Sequence, residues 1–258
     1  MGFSLEMAEP ILRTRSLTKR FGGLVATDAL DFDVRGGEVH AVIGPNGAGK
    51  TTLLNQLIGE LAPDAGAIEF DGADVTRLPS WRRALRGLSR SYQITSIFPE
   101  FSALENVALA AQAHDGHSFG AWRPAITEGR LTEQARLSLA EVGLQSKEDQ
   151  PAALLAHGQR RQLEIAMALV SKPKLLLLDE PMAGMGRQES ESMVRLLSKL
   201  KGQYTMLLVE HDMDAVFALA DRITVLVYGR VIASGLPGEI RSSAEVRKAY
   251  LGERYVAH

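Results

Sequence analysis

The sequence of 258 residues contains no cysteine. A disulfide framework, a thiolate zinc site and a cysteine nucleophile are therefore excluded. Net charge is also nearly absent, because 29 Lys and Arg residues face 31 Asp and Glu residues and leave a balance of -2. Such a balance creates no general attraction for a nucleic-acid backbone, so no nucleic-acid partner is predicted.

Long apolar runs are missing as well. Residues 175–178 are all leucine, but the run ends at Asp179 and Glu180, and no stretch reaches the ~20 residues that span a bilayer. The chain is therefore not expected to cross a membrane by itself. Residues 1–10 have no basic segment followed by an apolar one, so a secretory signal is not predicted either. Residence in the cytosol agrees with these absences.

Short apolar runs alternate with longer segments of helical spacing. Strands are predicted at residues 30–34, 39–43, 67–70, 174–178, 204–209 and 223–227. Helices are predicted within residues 102–142, with a break at residues 114–124, and again from about Gly158. This alternation is typical of an α/β fold with a parallel sheet.

A glycine-rich segment follows the strand predicted at residues 39–43. Its sequence is Gly44-Pro45-Asn46-Gly47-Ala48-Gly49-Lys50-Thr51, followed by Thr52, and it matches the phosphate-loop pattern G-x-x-x-x-G-K-[ST] at every fixed position. In such a loop, backbone N–H groups converge on phosphate oxygens, the lysine neutralises charge and the threonine hydroxyl binds Mg²⁺. A glycine-rich turn with a chance lysine is the alternative. The strand before the segment and the helix after it favour a nucleotide site.

An acidic pair, Asp179 and Glu180, follows the leucine run. Ligands bind at the carboxyl ends of the strands in open α/β sheets. We therefore expect Asp179 to hold Mg²⁺ and Glu180 to polarise the attacking water. The alternative, a core strand that ends in a solvated turn, is the weaker interpretation beside a phosphate loop.

These motifs resemble the ATP-binding subunit of an ATP-binding cassette (ABC) transporter, and the resemblance extends over nearly the whole chain. It implies an α/β fold of the P-loop NTPase class, with a mostly parallel core sheet, an antiparallel β subdomain and an inserted helical subdomain. It also implies one domain over residues 8–255. Residues 8–92 and 171–255 would form the nucleotide-binding core, and residues 93–170 the helical subdomain that carries the signature helix.

The same resemblance assigns roles to further residues. Phe21 would stack on adenine, unless it is a core aromatic of the first hairpin. Gln93, after a strand, would bind Mg²⁺ and take part in catalysis, and His211 would be the catalytic switch histidine. The signature, which contacts the ATP of a partner subunit, would be Ala156-His157-Gly158-Gln159.

Two positions depart from the family pattern. Ala156 stands where the signature usually has serine, so the missing hydroxyl would be replaced by the N–H group of Gly158 and the helix dipole. Gly186 stands where the loop after Glu180 usually has aspartate. The carboxylate of the family pattern is therefore missing from that loop.

Several short strings resemble the longer ATPase of branched-chain amino acid importers and of the related urea and amide importers. They are residues 21–24, 159–166, 182–186 and 250–253. They predict an ATPase that powers the import of branched-chain or related amino acids. The alternatives are the ATPase of a lipid or lipopolysaccharide exporter, a soluble ABC ATPase without a transport role and an inactive regulatory subunit.

The resemblance implies Mg²⁺ with ATP as cofactor and a peripheral location at the cytoplasmic face of the membrane. The implied partners are integral-membrane permease subunits, a second ATPase subunit in a homodimer or heterodimer and, indirectly, an extracytoplasmic solute-binding protein. Residues 94–104, which include Phe98 and Phe101, would help to form the groove for a permease helix. The alternative is that these aromatic side chains pack inward.

Three arginines, Arg82, Arg83 and Arg86, lie at helical spacing beside Trp81. Regularly spaced charge of one sign is typical of a solvated helix face. We therefore predict an exposed face at these residues rather than a nucleic-acid patch.

Overall fold

The computed structural model describes residues 9–91, 97–115 and 129–248. A small antiparallel sheet has the strand order β2-β1-β4-β5. Its strands are β1 (Pro10–Phe21), β2 (Leu24–Arg35), β4 (Ala65–Phe70) and β5 (Ala73–Asp74).

A larger sheet has the order β10-β9-β3-β8-β7-β6. Its strands are β3 (Val39–Ile43), β6 (Leu88–Ser91), β7 (Leu175–Asp179), β8 (Thr205–Val209), β9 (Arg222–Val227) and β10 (Arg230–Gly235). The pairs from β9 to β6 are parallel, and β10 joins β9 antiparallel. The predicted α/β fold with a mostly parallel core sheet and an antiparallel sheet is confirmed.

Helices follow most of the strands of the larger sheet. They are α1 (Lys50–Ile58), α2 (Ser80–Leu85), α3 (Ala103–His114), α4 (Gly129–Glu141), α5 (His157–Leu169), α6 (Arg187–Leu200), α7 (Met213–Leu219), α8 (Pro237–Ser242) and α9 (Ala244–Val246). Within the three described ranges, no helix combines the length and the apolar content that crossing a bilayer requires.

The central strands are apolar on both faces because both faces of the larger sheet are covered. Every residue of β3, β7 and β8 is buried. In β7, Leu176 and Leu178 pack into the cluster formed with α3 to α6, whereas Leu175 and Leu177 pack into the cluster formed with α1 and the antiparallel sheet. This period of two explains why the leucine run has no polar face. It also leaves the first polar residue, Asp179, at the end of the strand.

The prediction of a solvated face on α2 is wrong for Arg83. Arg82 and Arg86 are exposed, but Arg83 is buried and only 1% accessible. Its guanidinium donates to the carbonyls of Gln56 and Leu57 at 2.7 and 2.6 Å. The cause is the position of α2 against the end of α1, because a buried guanidinium is tolerated where backbone carbonyls take up its hydrogen bonds.

Candidate nucleotide site

The phosphate loop connects β3 to α1, as its sequence predicts. Gly49 caps α1 with a φ of 103°, and a Cβ atom there would lie 2.2 Å from the carbonyl oxygen of Ala26. Only glycine fits this conformation and this close approach. No acidic side chain occupies the first turn of α1. The positive end of the helix therefore faces the loop without a competing anion of its own first turn.

Lys50 is the first residue of α1 and is only 8% accessible. Its Nζ atom donates to the carbonyl oxygens of Gly44 at 2.7 Å and Pro45 at 3.1 Å. Burial lowers the pKa of Lys50, while the negative charges of Glu180 and Asp179 act in the opposite direction. The structure thus brings the lysine of the phosphate loop into the field of the acidic pair.

The acidic pair lies at the carboxyl end of β7. Asp179 is buried, and its Oδ2 atom accepts a hydrogen bond from Nη2 of Arg90 at 2.6 Å. Glu180 has a φ of 48°, which is rare for a residue with a side chain, and its N–H group donates to the carbonyl of Val209 at 2.8 Å. Strained backbone of this kind is concentrated at functional sites, where surrounding contacts hold it in place.

His211 lies two residues beyond the end of β8, the neighbour of β7 in the sheet. Its Nδ1 atom is 3.9 Å from Oε1 of Glu180 and 3.8 Å from Oε2 of Glu210. The parallel pairing of β7 and β8 therefore brings Glu180 and His211 together at the carboxyl end of the sheet.

Glu210 is a residue of the site that the sequence analysis missed. Its buried carboxylate accepts hydrogen bonds from the N–H groups of Met182 at 3.0 Å, His211 at 2.9 Å and Asp212 at 3.3 Å. It connects the loop after β7 with the loop after β8. The available signal was an acidic residue directly after an apolar strand, the same signal that identified Asp179.

A comparison with models of protein families identifies the family of the chain. A family model described as ABC transporter matches residues 27–183, which include the phosphate loop and the acidic pair. The chain belongs to the ABC transporter family. A second model, described as branched-chain amino acid ATP-binding cassette transporter, matches residues 230–256. Membership confirms the predicted family and ATPase activity coupled to membrane transport.

Relatives of the ABC family match the chain over nearly its full length. BraF of Pseudomonas aeruginosa, a high-affinity branched-chain amino acid transport ATP-binding protein, is 40% identical over 96% of this chain and 100% of its own. LivG of Escherichia coli K12, which has the same description, is 36% identical with the same coverage. A solved ATP-binding cassette of an ABC transporter in its ADP conformation has a TM-score of 0.85 and 30% identity, over 95% of this chain and all of that one.

The residues that resemble the ABC signature lie at the start of α5. Ala156 precedes the helix in an extended conformation, and its N–H group donates to Oε1 of Gln159 at 3.1 Å. The N–H group of Gly158 donates to Oε1 of Glu189, on α6, at 3.3 Å. The N–H group of Gly158, which the resemblance assigns to a phosphate, thus donates to the carboxylate of Glu189 in this structure. This contact was not predicted.

Of the two remaining residues of the ABC pattern, Phe21 and Gln93, the structure describes only the first. Phe21 ends β1 and is 50% accessible, with Nζ of Lys19 5.7 Å from its ring centroid. It is therefore not a core aromatic, and its ring is open to a flat ligand. Gln93 lies outside the described residues.

The aromatic pair after Gln93 is exposed. Phe98 and Phe101 are 48% and 42% accessible, and their rings stack with centroids 5.3 Å apart. The alternative that these aromatic side chains pack inward is therefore wrong for Phe98 and Phe101. Ile97, in contrast, packs against the core. A separate cleft has a mostly apolar lining that includes Trp81, Leu85, Ala110, Ala113 and Met167, together with the charged residues Arg90 and Glu164.

Proposed function

We propose that this ATPase powers an importer of branched-chain amino acids. The observation that carries the proposal is that BraF and LivG, both named for branched-chain amino acid transport, are matched over 100% of their length. The separate match at residues 230–256 to a model named for the same transporters supports it. Similarity of the catalytic core alone would not favour one substrate over another.

ATP would bind with its phosphates against the loop 44–49 and the first turn of α1. The ammonium of Lys50 is already desolvated, and it would exchange the carbonyls of Gly44 and Pro45 for the β and γ phosphates. The exposed ring of Phe21 would stack on adenine. The affinity would come mainly from charge-assisted hydrogen bonds in a partly buried loop.

The oxygen donors of the site fit Mg²⁺. The hydroxyl of Thr51, the carboxylate of Asp179 and the side-chain amide of Gln93 are oxygen ligands, which this ion prefers. Within the described residues, no group of three His, Asp or Glu side chains could hold a metal alone. Mg²⁺ commonly uses few protein ligands and completes its shell with phosphate and water. When bound, Mg²⁺ would neutralise charge on the β and γ phosphates.

Hydrolysis would depend on positioning and charge, with no covalent intermediate on the protein. Glu180 would orient and polarise the attacking water, because β7 and β3 both pair with β8 in parallel, so that Glu180 and the phosphate loop follow strands that end at the same edge of the sheet. His211, close to Glu180, would sense the γ phosphate. Glu210 would fix the loop after β7 against the loop after β8 through its three hydrogen bonds from backbone N–H groups.

The functional unit would be a head-to-tail pair of ATPase subunits, either two copies of this chain or this chain with a sister ATPase. Each ATP would lie between the phosphate loop of one subunit and Ala156, His157, Gly158 and Gln159 of the other. The N–H group of Gly158 would exchange its bond with Glu189 for one with phosphate. Closure around ATP would drive the permease subunits, and hydrolysis would reopen the pair.

The permease would bind at the cytoplasmic face of the membrane and hold the ATPase there as a peripheral subunit. The exposed pair Phe98 and Phe101 and the apolar cleft beside Trp81 support this assignment, because exposed aromatic patches of this kind commonly mark interfaces. An extracytoplasmic solute-binding protein would deliver the amino acid to the permease.

Substitution of Glu180 tests the catalytic assignment. Glu180→Gln is expected to keep ATP affinity within about twofold and to lower turnover by about a hundredfold or more, because an amide keeps the shape but polarises water poorly. Nucleotide titration and phosphate release measure the two effects. Glu191→Gln, an exposed carboxylate on α6, is the matched control. Near-normal turnover by Glu180→Gln would remove Glu180 from the catalytic role.

Uptake measurements test the transported substrate. Deletion of the gene is expected to abolish high-affinity uptake of labelled leucine, isoleucine and valine, and the intact gene should restore it, whereas the Glu180→Gln variant should not. Fructose uptake is the specificity control, since a fructose import ATPase of Rhizobium meliloti is 33% identical over 86% of this chain. Loss of fructose uptake with normal leucine uptake would contradict the proposed substrate.

Substitution of the exposed aromatic pair tests the permease interface. Phe98→Ser and Phe101→Ser are each expected to weaken co-purification of the permease by about thirtyfold while ATP binding stays unchanged, because an aromatic anchor contributes about 2 kcal/mol. Leu137→Ser, at an exposed leucine of α4, is the control. If a Phe variant unfolds the isolated subunit, that aromatic stabilises the fold rather than the interface.

A further inference from the structure

Arg90 connects the two halves of the nucleotide site. It lies on β6, and its Nη2 atom donates to Oδ2 of Asp179 at the end of β7 at 2.6 Å. Its Nη1 atom donates to Oδ1 of Asn55 on α1 at 2.8 Å and lies 3.4 Å from Oε2 of Glu60. One guanidinium thus contacts the helix that follows the phosphate loop and the carboxylate assigned to magnesium.

The pair formed by Arg90 and Asp179 is buried. The two side chains are 7% and 1% accessible. A carboxylate removed from water needs a counter-charge, since an unpaired buried charge costs several kcal/mol. Lys50 also lies in the field of Asp179, but the ammonium of Lys50 is directed to the loop carbonyls and is needed for phosphate. Arg90 is therefore the cation that is directly bonded to Asp179.

An arginine suits this position for two reasons. The planar guanidinium offers separate N–H groups to Asn55 and Asp179, which belong to different elements. It also stays charged at every physiological pH, so the counter-charge is permanent. A lysine at this position would supply the charge but would lose part of the connection between α1 and β7.

We propose that Arg90 is the resident counter-ion and positioning residue of Asp179. It cancels the charge of that carboxylate before nucleotide binds, so that a triphosphate can approach without Mg²⁺ already in place, and it holds the carboxylate against α1. This inference rests on the nucleotide site of the proposed function. It adds a residue that supports the site through Asp179 without touching the phosphates.

The charge argument fixes the direction of the expected effects. Without Arg90, the charge of Asp179 is unpaired and repels the phosphates of ATP. In the presence of EDTA, Arg90→Met should therefore weaken binding of a fluorescent ATP analogue by about tenfold, and Arg90→Lys should bind within about threefold of the unchanged protein. In excess Mg²⁺ the loss in Arg90→Met should be smaller, because the cation screens the same carboxylate.

A second substitution separates charge from structure. Asp179→Asn removes the repelling charge, so the double variant Arg90→Met with Asp179→Asn should regain the ATP affinity of the unchanged protein in EDTA, within about threefold. A merely structural role of Arg90 would not be rescued in this way. If the double variant binds as weakly as Arg90→Met, or if Arg90→Met binds normally, the proposal is overturned.

Arg83 supplies the matched control. It is a second buried arginine whose guanidinium contacts α1, but its bonds to that helix go to carbonyls at the far end. Arg83→Met should lower the melting temperature and leave ATP affinity in EDTA unchanged. If it weakens ATP binding as much as Arg90→Met does, the effect passes through α1 and the counter-ion role fails.

The variant Lys50→Ala distinguishes failure of this inference from failure of the nucleotide site. If Lys50→Ala leaves ATP affinity unchanged, the phosphate-loop site is wrong and the role of Arg90 falls with it. If Lys50→Ala weakens ATP binding and Arg90→Met does not, only the role of Arg90 is rejected. Thermal melts of all variants show whether each one is folded. If Arg90→Met is unfolded, Arg90→Lys provides the test: because it keeps the counter-charge, an ATP affinity in EDTA more than about threefold below that of the unchanged protein would overturn the proposal.

Discussion

At the scale of single residues, Glu210 holds together the two loops that follow β7 and β8. Its carboxylate accepts three backbone N–H groups, from Met182, His211 and Asp212, and it is almost fully buried. These donors belong to segments with no regular structure of their own, so no helix or ladder would satisfy them without Glu210. Glu210 therefore helps to position His211 and the loop that begins at Glu180.

Removal of the Glu210 carboxylate is expected to destabilise the protein and to slow catalysis. Glu210→Ala leaves buried donors without partners and should lower the free energy of unfolding by about 3 kcal/mol. Turnover should fall more than ATP affinity, because the loops carry catalytic groups rather than the phosphate contacts. Urea unfolding and phosphate release measure these effects. Glu239→Ala, which removes an exposed capping carboxylate of α8, should cost only about 1 kcal/mol.

At the scale of secondary structure, α1 is stabilised at the end away from the phosphates. Its first turn must stay open to an anion, so it has no acidic residue there and Gly49 offers no side-chain cap. At its other end, Gly59 takes a φ of 83° and Arg83 donates to the last carbonyls. A helix of nine residues is too short to be stable on propensity alone. Tertiary contacts therefore supply the stability of this helix.

Substitution of Arg83 tests this account of α1. Burial lowers the pKa of Arg83 to about 10, which is still far above neutral pH, so the guanidinium stays charged. Arg83→Met should lower the free energy of unfolding by about 3 kcal/mol, because buried carbonyls lose their donors. Arg82→Met, at the exposed neighbour, should change it by no more than about 0.5 kcal/mol. Equal losses in the two variants, measured by urea unfolding, would contradict the role of Arg83.

At the scale of the whole molecule, a polar network joins the two sheets. Arg222 on β9 donates to Oδ2 of Asp33 on β2 at 2.6 Å and to Oε1 of Glu38 at 2.8 Å. His40 on β3 lies 3.1 Å from Glu38 through Nδ1 and 2.8 Å from Thr224 through Nε2. The network lies where β2 of the antiparallel sheet meets β9 and β3 of the larger sheet.

This network makes stability depend on pH. Burial lowers the pKa of His40 below its ordinary value of 6.5. Burial alone would raise the pKa of Glu38, but hydrogen bonds from His40 and Arg222 lower it from 4.5 to about 2. Because both folded values lie below the unfolded ones, each group stabilises the protein above its unfolded pKa and loses this contribution as pH falls.

The expected result is a melting temperature that declines in two steps as the solution is acidified. The first step begins near pH 6.5, where His40 of the unfolded chain becomes protonated, and the second begins near pH 4.5, where Glu38 does. Calorimetry from pH 8 to pH 3.5 measures both steps. His40→Gln should remove the first step, whereas His114→Gln, outside the network, should not. An unchanged first step in His40→Gln would show that another group causes it.

Local patterns in the sequence were enough for much of the fold. The run at residues 39–43 corresponds to β3 with the same bounds, and the strand predicted at residues 174–178 corresponds to β7 shifted by one residue. These strands could be predicted because both of their faces are buried, so that apolar content alone marks them. The phosphate loop could also be predicted, because local backbone geometry requires its glycines, as at Gly49. Family, fold class and ATPase activity followed from such local signals.

Only the tertiary structure decided which distant side chains meet. Arg83 appeared to belong to a solvated face and is buried, because α2 packs on the end of α1. Arg90 had no distinguishing local pattern, yet it reaches Asp179. Glu210 had only the signal of an acidic residue after an apolar strand, which does not show that it connects two loops. The periodicity of apolar residues predicts which face of a helix or strand is buried, but not which other element covers that face. The partner of a charged group is set by the strand order β3-β8-β7-β6, which places residues about 30 to 90 positions apart side by side.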